Sequence, residues 1–109
     1  VILVGGLDSG NIIVGPRDGA SRPPQPMSLP IDGAHEVAGV GTLAPDEEGN
    51  PILHMHAALG RSGQTLSGCL RLGVKTWLAV EAILYEITGV KAVRTLDKES
   101  GFKLLDIGE

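Results

Sequence analysis

The stretch PILHMHAALG (51–60) carries two of the chain's three histidines, His54 and His56, separated by Met55 alone. On a helix, residues at i and i+2 point to different sides. On a strand they share one face, close enough to grip one ion or one substrate. The chemistry open to this pair therefore depends on whether 51–60 is a strand and on what lies opposite it. The third histidine, His35, stands beside Glu36 near the start of another apolar segment. It is a reserve ligand, with an ordinary surface histidine as the simpler reading.

The flanks of 51–60 favour a strand. It starts at Pro51, follows the acidic turn DEEGN, and ends at the turn Arg61-Ser62-Gly63-Gln64, beyond which TLSGCLRLG (65–73) forms the second arm of a hairpin. The two histidines then share a face. Elsewhere β signals also dominate. VILV (1–4) is a short β-branched run closed by Gly5 and Gly6, and NIIVG (11–15) and AHEVAGVGTLA (34–44) read as strands. The segment 16–33 holds five of the seven prolines and reads as an extended surface loop. VKTWLAVEAILYEITG (74–89) is ambiguous: Trp77, Val80, Leu84 and Ile87 fall at helical spacing, and the local pattern leans to helix. VKAVRTL (90–96) and FKLLDI (102–107) read as strands around the turn DKESG.

Composition bounds the rest. A chain of 109 residues is one domain at most, here 1–109. With 42% hydrophobic but 3% aromatic residues, its core must come from Val, Ile, Leu and Ala, and such a core gains by burying more surface in an oligomer. The net charge of −4 offers no electrostatic footprint for nucleic acid. A lone cysteine excludes an internal disulfide framework and fits a reducing cytoplasm. No apolar run reaches the ~20 residues of a membrane span, no signal peptide is evident, and no membrane partner is expected. The opening VILVGG, a core-like strand without an initiator Met, reads as a chain whose earlier part is absent.

The order HMHAALGRSGQTLSGCLRLG, then VEAILYEITGV, then RTLDKESGFKLLDI resembles the PPC (plant and prokaryote conserved) domain, which in plants accompanies AT-hook DNA-binding motifs. That family's pattern has His-x-His on one strand, a turn, Gly-Gly-His-Leu with a Gly shortly after, and an apolar strand bearing a Glu. His54 and His56 match the first element, Ser67-Gly68-Cys69-Leu70 with Gly73 the second, and Glu81 the third. The resemblance implies an α/β fold of α+β type, a mostly antiparallel sheet packed with helix. It also implies assembly as a homotrimer and a strand at 74–88, and it places the family's first strand and first helix upstream of Val1. In prokaryotic members three histidines are thought to form a metal site; the third corresponds here to Cys69.

That departure leaves two readings of Cys69. A thiolate is a strong zinc donor, and metal binding lowers its pKa; a cysteine is equally at home as a small packed thiol. Two imidazoles and a thiolate on one face of a hairpin make a three-ligand set that suits zinc and leaves a fourth position open, so His54, His56 and Cys69 are the candidate metal ligands. The competing reading makes the histidines partly buried, hydrogen-bonded structural residues. Ring divergence, or a sulfur turned into the core, would favour that alternative.

Other signals fail. GVGTLA (39–44) imitates a nucleotide fingerprint, but Pro45 and an acidic loop follow instead of a helix. Arg22-Pro23 is half of an AT-hook without its Arg-Gly-Arg-Pro core. Asp46-Glu47-Glu48 reads as a solvated turn lacking the ligand spacing of a calcium loop. Ser62 and Ser67 lack a nucleophile-elbow context, and Glu81 is a general-base candidate only beside a metal-bound water. Two functional classes survive. One is a non-catalytic trimeric module, DNA-binding or regulatory with DNA or a regulatory protein as partner, holding a structural or sensory metal. The other is a metal-dependent enzyme or small-ligand-binding protein using the open zinc position.

Overall fold

The computed structural model describes residues 1–108. Nine strands follow in order: β1 (Ile2–Ser9), β2 (Asn11–Pro16), β3 (Pro26–Pro30), β4 (His35–Pro45), β5 (Pro51–Arg61), β6 (Gln64–Leu70), β7 (Lys75–Ile83), β8 (Val93–Leu96) and β9 (Lys103–Asp106). Seven form one antiparallel sheet in the order β3-β2-β6-β5-β4-β1-β7, and β8 and β9 form a separate hairpin. The whole measures 45 × 35 × 20 Å. None of the described residues forms a helix, so none crosses a membrane as one.

The expected sheet packed with helix is therefore corrected: the described fold is all-β. The one segment with helical spacing is claimed by β1, whose Ile2, Val4 and Gly5 pair with Ile83, Glu81 and Val80. That ladder satisfies the backbone while Val80 packs on the core, and the apolar positions of 75–83 serve a strand instead of a helix. Residues 84–92 then run without regular structure. Two boundaries also move. β1 continues through Gly5 and Gly6, because β7 lies so close there that a Cβ on Gly6 would stand 2.6 Å from the Trp77 ring. The proline-rich loop contains β3, placed at the sheet's edge, where missing N–H donors are tolerated.

One face of the sheet carries the core. Leu7, Ile12, Ile31, Val37, Ala57 and Leu59 form a buried cluster against which Leu3, Val14, Leu66 and Leu70 pack. It is built of aliphatic residues, as the scarcity of aromatics requires. Since Ala57 and Leu59 face this cluster, the period of two sends His54, His56 and Ala58 to the opposite face. That face is ordered by β5–β6: Arg61 pairs with Gln64 around Ser62 and Gly63, both at positive φ (51° and 76°), the backbone of a tight type I′ hairpin.

Gly68 controls how closely β2 approaches β6 beside this hairpin. A Cβ there would collide with the carbonyl oxygen of Ile13, which is backbone and cannot swing away. Gly68→Ala is expected to cost about 1–3 kcal/mol through this overpacking, read as a lower denaturant midpoint. Gly19→Ala, where nothing lies within 4 Å, is the control expected to change it little.

Candidate metal centre

The hairpin register sets His56 directly opposite Cys69, and the next pair across the sheet sets Thr42 opposite His54. Adjacent antiparallel partners share a face, so two imidazoles and a thiol converge on the side away from the core. The Nε2 atoms of His54 and His56 are 3.1 Å apart, with the rings edge to face at 4.9 Å between centroids. A donor atom from each of His54, His56 and Cys69 lies within 4.8 Å of the others; both histidines are exposed and the cysteine is half-buried. Two nitrogens each about 2.0–2.1 Å from a tetrahedral zinc stand about 3.3 Å apart. The imidazoles already have that spacing, and the sulfur needs only a small closing movement. The donor set fits a metal ion geometrically.

The electrostatics favour the neutral form of His54. His54 is held below the ordinary imidazole pKa, first by partial loss of solvent around its ring, then by the positive influence of His56, Arg94 and Arg71. A neutral imidazole is the ligating species. Arg94 is one of the two arginines acting on His54. It is buried, its Nη2 donates to Thr42 Oγ1 at 2.6 Å, and its Nη1 donates to the Lys103 carbonyl at 3.2 Å. Its Nε is buried without a partner, and among the described residues no carboxylate pairs with it.

The β8–β9 hairpin that carries Arg94 is tied to the sheet by Asp46. Its carboxylate accepts from Lys103 Nζ at 2.8 Å and from the backbone N–H groups of Asn50 and Glu48 at 2.9 and 3.0 Å. Asp46 is thus a buried anchor, which corrects its reading as part of a solvated turn.

The other candidates lie elsewhere. His35 sits on the core side of β4, with its Nδ1 2.7 Å from the Gly33 carbonyl oxygen, and is not in the donor group. Glu81 is exposed on β7, the far edge of the sheet, and is likewise outside the group. Sequence reasoning missed Arg94 and Arg71. The signal for Arg94 was an arginine inside the short strand VRTL, informative only once that strand is known to fold back over Thr42.

Fold and site together describe an antiparallel β-sheet protein with a solvent-facing trio of metal-type donors. The profile of the Plants and Prokaryotes Conserved (PCC) domain, the same family named above as PPC, matches residues 1–88. The chain belongs to that family. No curated protein and no solved structure matches it.

The hydrogen bonds from Lys103, Asn50 and Glu48 hold the Asp46 carboxyl down to about 2, against an ordinary 3.8. A depressed carboxylate contributes stability that is present above the unfolded value and lost as pH falls through the folded one. Between pH 3.8 and about 2 the wild-type chain is expected to lose that contribution. Asp46→Asn should be less stable near neutrality and show a shallower fall of Tm with acid over the same window; an unchanged acid profile would contradict the anchor role.

Proposed function

We propose that this chain is a trimeric PCC-domain module that holds a divalent metal, best zinc, through His54, His56 and Cys69, and acts in regulation by binding a small ligand. The observation that carries the reading is the 3.1 Å approach of two imidazole nitrogens with a thiol sulfur completing the group. Two imidazoles and one thiolate suit the borderline-soft character of zinc. When bound, zinc supplies Lewis acidity and an open position, because the protein offers three donors. The residues themselves hold the ion, keep His54 neutral and present the site to solvent. The enzyme reading has that exposed open position in its favour. Its sequence candidate for a general base, Glu81, stands outside the donor group.

Trimer formation is supported by the family and by the surface. The metal face continues through an apolar row, Val40, Ile2 and Ile83, each at least 36% exposed, and Val4 beside it is 38% exposed. Further copies would cover this row and the open edge of β7. Direct duplex binding is disfavoured by the excess of thirteen acidic over nine basic residues, because phosphate neutralisation drives such contacts.

Metal-free chain titrated with zinc should take up one ion per protomer. His54→Ala and His56→Ala should each abolish stoichiometric uptake, and Cys69→Ser should weaken it at least tenfold; full-affinity binding by all three variants would remove the site. Light scattering should give three times the chain mass, and duplex DNA should bind no tighter than micromolar at physiological salt. A monomer contradicts the assembly, and sub-micromolar, salt-sensitive DNA binding contradicts the ligand-binding role.

A further inference from the structure

The donor set borders a cleft that metal binding alone does not use. The cleft has a volume of about 260 Å³, and Ile13, Pro24 and Phe102 line it together with His56, Cys69 and Arg71. No acidic side chain lines it. The Arg71 side chain is exposed and has no hydrogen-bond partner among the described residues, in contrast to Arg22, Arg61 and Arg94. Close by, Arg94 places a second guanidinium against Thr42, the cross-strand partner of His54. Asp46, whose backbone bridges to Arg94, has its carboxylate engaged by Lys103. A buried cation without a paired anion is costly. The donor set is thus flanked by Arg94, which pairs with no carboxylate among the described residues, and by an apolar cleft with one free guanidinium.

We propose that this cleft binds a small monocarboxylate with a short apolar body. Arg71 meets the carboxylate, and Arg94 contributes charge from behind Thr42 without touching the ligand. The apolar body lies against Ile13, Pro24 and Phe102. The planar guanidinium fork matches a planar carboxylate. A phosphate's second charge would find no second free donor against apolar walls. Arg94 and Phe102 lie beyond the residues matched to the family, whereas Arg71, Ile13 and Pro24 lie within them, so both parts of the chain shape this ligand preference. The proposal rests on the metal reading, because it sets the ligand beside a loaded donor set.

The test is calorimetric titration of the zinc-loaded full chain with acetate, butyrate and benzoate, with butylamine and inorganic phosphate as counter-probes. Butyrate and benzoate should bind more tightly than acetate, and butylamine should not bind. Arg71→Gln should weaken butyrate about tenfold, the loss expected for one hydrogen bond to a charged group. Phe102→Ser should abolish the preference for butyrate over acetate, and both variants should still take up one zinc per chain. Both positions are exposed, so folding is not at stake. Zinc uptake without carboxylate binding, undiminished butyrate binding by Arg71→Gln, or phosphate binding more tightly than butyrate each overturns this proposal and leaves the metal reading standing. Failure to take up zinc overturns the metal reading and this proposal with it.

Discussion

The register of the β5–β6 hairpin carries the rest of the account. Ser62 and Gly63 close the turn at positive φ, Arg61 faces Gln64, and counting back along both strands brings His56 opposite Cys69. Side chains alternate faces with a period of two, so a slip of one residue would move Cys69 to the core side and leave the imidazoles facing Gly68 or Leu70. The slip is resisted from the core face. Leu59 is completely buried and sits opposite the half-buried Leu66, so a shifted β6 would lose that apolar pair. The core thereby fixes the site on the opposite face without any core residue touching it.

Charge would then bear on what the proposed site accepts. Three donors on an exposed face need neutral imidazoles and a thiolate, and the surroundings of His54 discourage its protonation. The same surroundings, Arg71 in a cleft lined by no carboxylate and Arg94 behind Thr42, leave positive potential that an ion would increase. A second element supplies that potential: β8–β9 is clamped through Asp46 and Lys103, and it brings Arg94 to Thr42. The sheet thus provides the candidate ligands, and the hairpin provides charge near them.

Much of this arrangement was legible in the sequence, for physical reasons. Pro51, the Ser62-Gly63 turn and the His-Met-His alternation each have short-range causes, so the strand, the hairpin and the shared face followed from local rules. The helix that the resemblance implied has no counterpart among the described residues. Residues 74–89 carried a helical spacing that long-range pairing with β1 overrode. Strand β3 was hidden because proline argues against central strands yet permits an edge. Asp46 looked solvated because its partner Lys103 lies 57 residues away, and Arg94 meets Thr42 across 52. Contacts of that range leave no trace in local pattern.

The central claim is that two imidazoles and one thiolate act on a single ion. X-ray absorption at the zinc edge of the loaded protein tests it most directly. The account predicts one sulfur at about 2.3 Å and two nitrogens at about 2.0–2.1 Å, with a further light atom filling the open position. A shell of nitrogen and oxygen alone, without sulfur, would show that Cys69 is a packed thiol and contradict the site as described.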